Sequence, residues 1–157
     1  MTKAASSAKR LPPSFDVRHD DARGWTEALS SVPLLAALSQ RQRRKVAETA
    51  RIRRFTAGTP LIVSGQAASE LFVILEGTVS VAIPERAPLP MGAGTFVGEL
   101  ALLDGGPRSG SVVAEGPVVT LAITARRFRK LLQAEPSIAI GVAEELARRL
   151  RAVQTAG

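Results

Sequence analysis

The stretch GAGTFVGELALLDGGPRSGSVVA, from Gly92 to Ala114, decides how this chain is interpreted. It places one helical turn, Glu99 to Leu103, between glycines, and an arginine follows shortly afterwards. Gly98 allows close approach of the backbone, and a helix that begins beside it points unpaired N–H groups and a positive dipole end outward. The stretch therefore predicts a site for an anion.

The polar residues of the stretch narrow the identity of that anion. Arg108 supplies a planar fork suited to phosphate oxygens, and Ser109 adds a hydroxyl and a backbone N–H beside it. Glu99 would repel a phosphate unless it faced another part of the ligand, and a sugar hydroxyl is a good donor to a carboxylate. A phosphate together with a ribose predicts a nucleotide.

Short apolar runs broken by glycine lie on both sides of this stretch and predict β-strands. Strands of four to six residues rich in Val and Ile, without helices between them, indicate an antiparallel roll or barrel rather than βαβ units. The predicted strands are Ile52 to Phe55, Leu61 to Val63, Leu71 to Leu75, Val79 to Ile83, Ser111 to Ala114, and Val118 to Ile123.

Helical periodicity flanks the strands at both ends of the chain. Ser39 followed by Gln42 resembles a capping box and predicts the start of a helix. The fold class is therefore α+β, a jelly-roll-like antiparallel β-roll with N-terminal helices and two C-terminal helices. Residues 1–24 are expected to form a flexible tail and residues 25–157 a single domain. The predicted helices are Trp25 to Leu29, Gln40 to about Ala50, Ala125 to Gln133, and Ser137 to Val153.

The composition of the 157 residues excludes several classes of site. The chain has no cysteine, so it has neither disulfides nor a thiolate nucleophile, and this fits a reducing, cytoplasmic location. His19 is the only histidine, so we expect neither a metal site nor a Ser-His-Asp triad. No signal peptide or apolar span is present, so we expect no membrane insertion. The chain is expected not to be an enzyme.

The net charge of +7 is concentrated in three basic runs. We favour solvated helix faces as their explanation, and a surface for a polyanion or a partner is the alternative. The runs are Arg41 to Lys45, Arg51 to Arg54, and Arg126 to Lys130.

The segment VGELALLDGGPRSGSV, residues 97–112, resembles the phosphate-binding cassette of cyclic-nucleotide-binding domains. This family includes bacterial catabolite activators, cyclic-nucleotide-dependent kinases and cyclic-nucleotide-gated channels. The segment FTAGTPLIVSGQAASELFVILEGTVSV, residues 55–81, resembles the opening strands of the same domains. The resemblance covers roughly Pro33 to Val153.

The resemblance implies a role for each cassette residue. Backbone amides of the cassette line the cyclic phosphate, Glu99 accepts from the ribose 2′-hydroxyl, and Arg108 pairs with an exocyclic phosphate oxygen. Val97 stands where many members have an aromatic residue, and Gly110 replaces a common alanine. The implied ligand-binding residues are Val97, Gly98, Glu99, Leu100, Ala101, Arg108, Ser109 and Gly110.

The resemblance also implies that the final helix closes over the base as a lid. Arg149 and Val153 are the expected lid residues, and a slip of one turn in the alignment would substitute Arg148 or Leu150. The expected ligand is cAMP in preference to cGMP, with no cofactor, and the expected output is an unidentified protein effector. We expect a monomer or weak dimer.

Two other functions were weighed against this sensor. A cyclic-nucleotide-responsive DNA-binding regulator is disfavoured because only Gln154 to Gly157 follow the last helix, whereas a recognition motif needs two helices and a turn. An excised fragment of a larger effector would remove that objection, so nucleic acid binding is not expected of this chain alone. A roll that binds only protein is disfavoured because Glu99 and Arg108 are both present.

Overall fold

The computed structural model of the chain describes residues 35, 38–67 and 69–155. The predicted tail, residues 1–24, and the predicted helix from Trp25 to Leu29 lie outside the described residues. The helices are α1 (Gln40–Thr49), α2 (Glu99–Asp104), α3 (Ala125–Ala134) and α4 (Pro136–Thr155). The strands are β1 (Arg51–Phe55), β2 (Pro60–Ile62), β3 (Glu70–Glu76), β4 (Val79–Ala82), β5 (Leu89–Met91), β6 (Phe96–Val97), β7 (Ser111–Ala114) and β8 (Val118–Thr124).

The eight strands form two four-stranded sheets, ordered β1-β8-β3-β6 and β2-β7-β4-β5. Every pairing is antiparallel, so the predicted β-roll with helices at its ends is confirmed. The six predicted strands are all present, with ends shifted by at most one residue. Strands β5 and β6 were not predicted because they are two or three residues long, too short to establish a period of two.

The sheet that contains β3 is buried on both faces. Alternate residues of a strand point to opposite sides, so Phe72 and Ile74 face the second sheet while Leu71 and Val73 face the helices. This explains why β3 is a continuous apolar run instead of an alternating one. One apolar cluster therefore fills the roll and a second holds the helices against it.

The helices begin where the sequence provides caps. The Ser39 hydroxyl accepts from the Gln42 backbone N–H at 3.1 Å while the Gln42 side chain accepts from the Ser39 N–H at 2.9 Å, so the predicted capping box is confirmed. The Thr124 hydroxyl accepts from the Arg127 N–H at the start of α3. Capping thus fixes where α1 begins and where α3 leaves the sheet.

Helix α4 uses only the first half of its apolar stripe for packing. Ile138 and Val142 are buried, whereas Leu150 is 59% exposed and Val153 is 42% exposed. In the part of the chain that the structure describes, no helix is long and apolar enough to cross a bilayer. The second half of α4 therefore reaches past the core toward α2.

Candidate functional site

Gly98 sets the geometry of the candidate site, because it joins β6 to α2 in a left-handed conformation with φ of 93°. A Cβ at this position would lie 2.8 Å from Arg108 Nη1 and 3.2 Å from the carbonyl oxygen of Glu70. A side chain would therefore be disfavoured both by the backbone angle and by its neighbours. Only glycine lets the start of α2 approach the arginine this closely.

Arg108 is 7% exposed and is held by main-chain oxygens. Its Nη1 donates to the carbonyl of Gly98 at 2.6 Å, and its Nη2 donates to the carbonyl of Glu70. Burial lowers the pKa of the guanidinium, and the negative charges of Glu99 and Glu70 oppose that shift. These two bonds use two of the five N–H donors of the guanidinium. Arg108 is thus a fixed cation that retains donors for an anion.

The loop that carries Arg108 is itself tied to the opposite turn of the roll. The Arg108 N–H donates to the carbonyl of Gln66 at 3.0 Å, and the Gly65 N–H donates to the carbonyl of Arg108 at 2.9 Å. These two main-chain hydrogen bonds fix the loop at Arg108, and the loop in turn helps to position the guanidinium.

Glu99, the first residue of α2, is 4% exposed. Burial raises the pKa of its carboxyl, and this shift is opposed by its own backbone N–H and by the charges of Arg149 and Arg108. The Arg149 Nη1 donates to Glu99 Oε1 at 2.9 Å. The buried Glu99 carboxylate is thus paired with a cation from α4, a helix that is far from it in the sequence.

Arg149 fastens α4 to this end of the site through further contacts. Its Nη2 donates to the carbonyl of Phe96 at 2.9 Å, and its guanidinium lies 4.4 Å from the centroid of the Phe96 ring. Its Nε donates to Glu145 Oε1 at 3.3 Å. Val153, the other predicted lid residue, lies one turn further along α4 and is 42% exposed. The structure thus brings Arg149, but not Val153, to Glu99.

The other predicted site residues differ in burial. Val97 and Ala101 are buried, Leu100 lies in the first turn of α2, and Ser109 is exposed. A Cβ at Gly110 would lie 2.6 Å from the carbonyl oxygen of Ala82. This close approach explains why glycine stands where the resemblance leads one to expect alanine.

A buried carboxylate behind Arg108 was missed by the sequence analysis. The side chain of Glu70 bonds to Arg53 Nη1 at 2.6 Å and lies 3.4 Å from Arg51 Nη2. Arg53 also lies 5.2 Å from the centroid of the Phe55 ring. The sequence does contain a signal for this ion-pair cluster. An acidic residue stands at the start of an apolar run, and two arginines lie two positions apart on one strand, so their side chains share a face.

The arrangement suits the binding of a ligand with two kinds of polar group. The fixed cation and the start of the short helix match a phosphate, and the buried carboxylate matches a hydroxyl group. Among residues 35, 38–67 and 69–155 there is no group of three or more His, Cys, Asp or Glu that could hold a metal ion.

Comparison with known proteins agrees with the resemblance to cyclic-nucleotide-binding domains that the sequence shows. The family model for the cyclic nucleotide-binding domain matches residues 52–135. The chain is 36% identical over 122 residues to a cyclic nucleotide-gated potassium channel of Rhizobium etli, which covers 78% of this chain and 34% of the channel. It is 38% identical over 113 residues to the cAMP-dependent protein kinase type II regulatory subunit of Drosophila melanogaster, which covers 69% and 30% respectively. The chain spans about a third of the length of these curated relatives.

Solved structures share the fold. The catabolite activator protein of Thermus thermophilus superimposes with a TM-score of 0.71 at 28% identity, covering 78% of this chain and 60% of that one. The regulatory domain of Toxoplasma gondii protein kinase A, solved with cAMP, superimposes with a TM-score of 0.72 at 23% identity, covering 83% and 51%. Because the family model matches residues 52–135, which include strands of both sheets together with Glu99 and Arg108, this chain belongs to the cyclic nucleotide-binding domain family.

Proposed function

We propose that this chain binds a cyclic nucleotide, cAMP in preference to cGMP, and acts as a non-catalytic sensor within the cytoplasm. The observation that carries the proposal is the burial of two opposite charges beside Gly98. Glu99 follows Gly98 in the chain, and the Arg108 side chain contacts Gly98 in space. Buried charges are costly unless they are paired or serve a ligand. A cyclic nucleotide offers a partner to each of them.

The phosphate would bind between Arg108 and the first turn of α2. Arg108 keeps unused N–H donors while two carbonyls fix its orientation. Backbone amides of Leu100 and Ala101 at the start of α2, and of Ser109 and Gly110 after the arginine, supply the remaining donors to the phosphate oxygens. Because the guanidinium is already ordered, little entropy is lost when the phosphate arrives.

The ribose 2′-hydroxyl would donate to Glu99. A carboxylate can accept about four hydrogen bonds, so the bond to Arg149 at 2.9 Å leaves room for a hydroxyl. Burial raises the pKa of Glu99. As the pH falls, this carboxylate is therefore protonated, and becomes a weaker acceptor, at a higher pH than an exposed glutamate would. The same carboxylate therefore joins the ligand to α4.

Arg149 makes α4 the lid of the site. It contacts both Glu99 and Phe96, so a ligand that reorganises Glu99 shifts the equilibrium position of α4. Val153 lies one turn further toward the C-terminus of α4, on the exposed part of the apolar stripe, where it can cover the base. Closure of α4 would be the signal passed to a protein effector.

The preference for cAMP rests on one of the relatives, and Ser109 does not add to it. The kinase regulatory subunit to which the chain is similar is named for cAMP. Ser109 is exposed beside the cassette, and a hydroxyl at this position can assist the phosphate or favour guanine. The relatives carry similar domains as one third of a longer protein, which supports a role for this chain as the sensing part of a larger effector.

Calorimetric titration with cAMP and cGMP tests the proposal, using the natural chain and Arg108→Leu. The substitution removes a charge-assisted contact and is expected to weaken affinity by about 1.5 to 3 kcal/mol, or about 10- to 150-fold. Arg151→Leu is the matched control, because Arg151 is an exposed arginine of α4 away from the cassette. Equal affinity of all three proteins for cAMP would overturn the phosphate site, and no binding by the natural chain would overturn the sensor.

A further inference from the structure

The three basic runs of the sequence, which the proposed nucleotide site does not require, meet on one side of the molecule. Helices α1 and α3 and strand β1 together carry eleven lysine or arginine side chains and one carboxylate, that of Glu48. The chain has 21 basic residues in all, so more than half of them lie in these three elements. Arg51 and Arg53 point to the other side of β1, where they pair with Glu70. We call the surface formed by the remaining exposed cations the basic face, and these are Arg41, Arg44, Lys45, Arg54, Arg126, Arg127, Arg129 and Lys130.

Contacts between the elements make the basic face continuous. The Arg127 side chain at the start of α3 donates to the carbonyl of Thr49 at the end of α1, at 3.3 Å. Lys45 in α1 lies 3.8 Å from the Glu135 carboxylate just after α3. The two helices therefore lie side by side and run antiparallel. Strand β1 begins one residue after α1 and pairs with β8, which leads directly into α3.

The two helices of the basic face present the same pattern of charge. Exposed cations at i, i+3 and i+4 lie on one side of a helix, roughly 5 to 6 Å apart. Both helices bury apolar residues on the opposite side, Val46 in α1 and Phe128 in α3. The two matching sets are Arg41, Arg44 and Lys45 in α1, and Arg126, Arg129 and Lys130 in α3.

The basic face offers charge without an apolar anchor. In the described part of the chain, the large exposed apolar side chains all lie outside α1, β1 and α3. Helices that dock in a membrane interface place aromatic or leucine anchors beside their cations, and single-stranded nucleic acid binds by stacking on aromatic rings. Two helices with axes about 8 to 10 Å apart are also wider than the roughly 12 Å major groove of DNA. The kind of partner that remains compatible with the basic face is a protein surface rich in carboxylates.

We infer that the basic face docks an acidic helical segment of a protein partner. Carboxylates spaced i, i+3 and i+4 on such a helix would meet cations of the same spacing on α1 and α3. Most of the exposed cations are arginines, whose planar forks bind carboxylates with two parallel hydrogen bonds. Glu135 already lies beside Lys45 at one end of the face, as a partner carboxylate would.

The basic face is connected to α4 at that same end. The Gln42 side chain donates to Glu135 Oε2 at 3.0 Å and to the Ser137 hydroxyl, in the first turn of α4, at 3.1 Å. A movement of α4 would therefore displace Glu135 and change the charge available to the partner. This coupling to nucleotide rests on the proposed function, whereas the docking itself does not.

The test uses the full chain at about 0.15 M salt, where exposed charges are screened beyond about 8 Å. Fluorescence anisotropy measures its binding to a synthetic helical peptide with glutamates at i, i+3, i+4 and i+7, and to a twin with glutamines at those positions. We expect binding of the glutamate peptide only. The pair Arg44→Glu and Arg129→Glu should weaken it at least about tenfold, because each reversal replaces an attraction with a repulsion.

The control reverses two exposed arginines outside the basic face, Arg86→Glu and Arg151→Glu, for the same change in net charge. It should alter the affinity less than about twofold, and circular dichroism checks that both double variants fold. Equal loss in the two double variants would overturn the docking surface, as would tighter binding to duplex DNA or to phosphatidylserine vesicles. Titration of both with cAMP reports separately on the nucleotide site, which these substitutions leave intact.

Discussion

The two halves of the candidate site hold their charges in different ways. Arg108 is oriented by the main-chain carbonyls of Gly98 and Glu70, both of which belong to the roll. Glu99 is paired instead with the side chain of Arg149, which comes from α4, fifty residues further along the chain. The half around Arg108, which we propose binds the phosphate and call the phosphate half, is therefore fixed by the roll. The half around Glu99, which we propose binds the ribose and call the ribose half, depends on the position of a helix.

This difference indicates how one small domain can both bind and respond. A hydrogen bond to a main-chain carbonyl of a sheet can be lost only if the backbone of the sheet moves, and the packed interior resists such a movement. A contact between side chains on two elements can be exchanged when one element moves. Substitutions confined to one half should therefore affect stability and binding in different ways.

Gly98→Ala should have the largest effect, because it forces a Cβ to 2.8 Å from Arg108 Nη1. The left-handed conformation costs about 1 to 2 kcal/mol for alanine, and overpacking adds about 1 to 3 kcal/mol. Gly105→Ala is a matched control, since φ is 74° there and no atom lies within 4 Å of the added Cβ. Urea unfolding should show a larger loss of stability for Gly98→Ala than for Gly105→Ala, and equal losses would contradict tight packing in the phosphate half.

The pair Glu99 and Arg149 should show coupling of about 1 to 2 kcal/mol in a double-mutant cycle of unfolding free energies. The substitutions are Glu99→Gln and Arg149→Gln, and the partly buried guanidinium makes the pair stronger than an exposed one. Lys45 and Glu135 form the control pair, in which the lysine is 45% exposed and neither residue contacts Arg149, with coupling below about 0.5 kcal/mol. Additive effects at Glu99 and Arg149 would mean that α4 is not held by the ribose half.

Glu70→Gln should lower stability by about 1 kcal/mol, because it breaks the ion pair with the half-buried Arg53. Affinity for cAMP should change less than about threefold, or roughly 0.6 kcal/mol, since Arg108 contacts the carbonyl of Glu70 and not its carboxylate. Calorimetry with the purified variant measures this. A loss as large as that of Arg108→Leu would show that the phosphate half depends on a side chain after all.

The pH dependence contributed by Glu99 should be the smallest effect. Burial raises its pKa above the ordinary 4.5, so the folded chain retains this proton at a pH where the unfolded chain has lost it. The free energy of unfolding should therefore fall as pH rises from about 4.5 through the raised pKa, and then level off. Urea unfolding of the natural chain and of Glu99→Gln at several pH values isolates this contribution, because the variant lacks it. Identical curves would mean that the carboxyl is not perturbed.

Much of the fold follows from local patterns in the sequence. Among the described residues, six of the eight strands, the capping box at Ser39 and the helix after Gly98 were predicted, because periodicity, caps and glycines act over a few residues. Strands β5 and β6 were not predicted because their pairing with β4 and β3, rather than a pattern of their own, makes them strands. Glu70 escaped because its burial depends on arginines from another strand.

The sequence by itself determined which segment resembles a phosphate-binding cassette, and which family the chain resembles, because the glycine pattern and the spacing of Glu99 and Arg108 are local. Only the tertiary structure decided which partners those charges have. Arg149 reaches Glu99, Arg108 reaches the carbonyl of Glu70, and three separated basic runs form one face. These contacts join residues far apart in the chain, and such distances are set by how the sheets and helices pack, which no local period encodes.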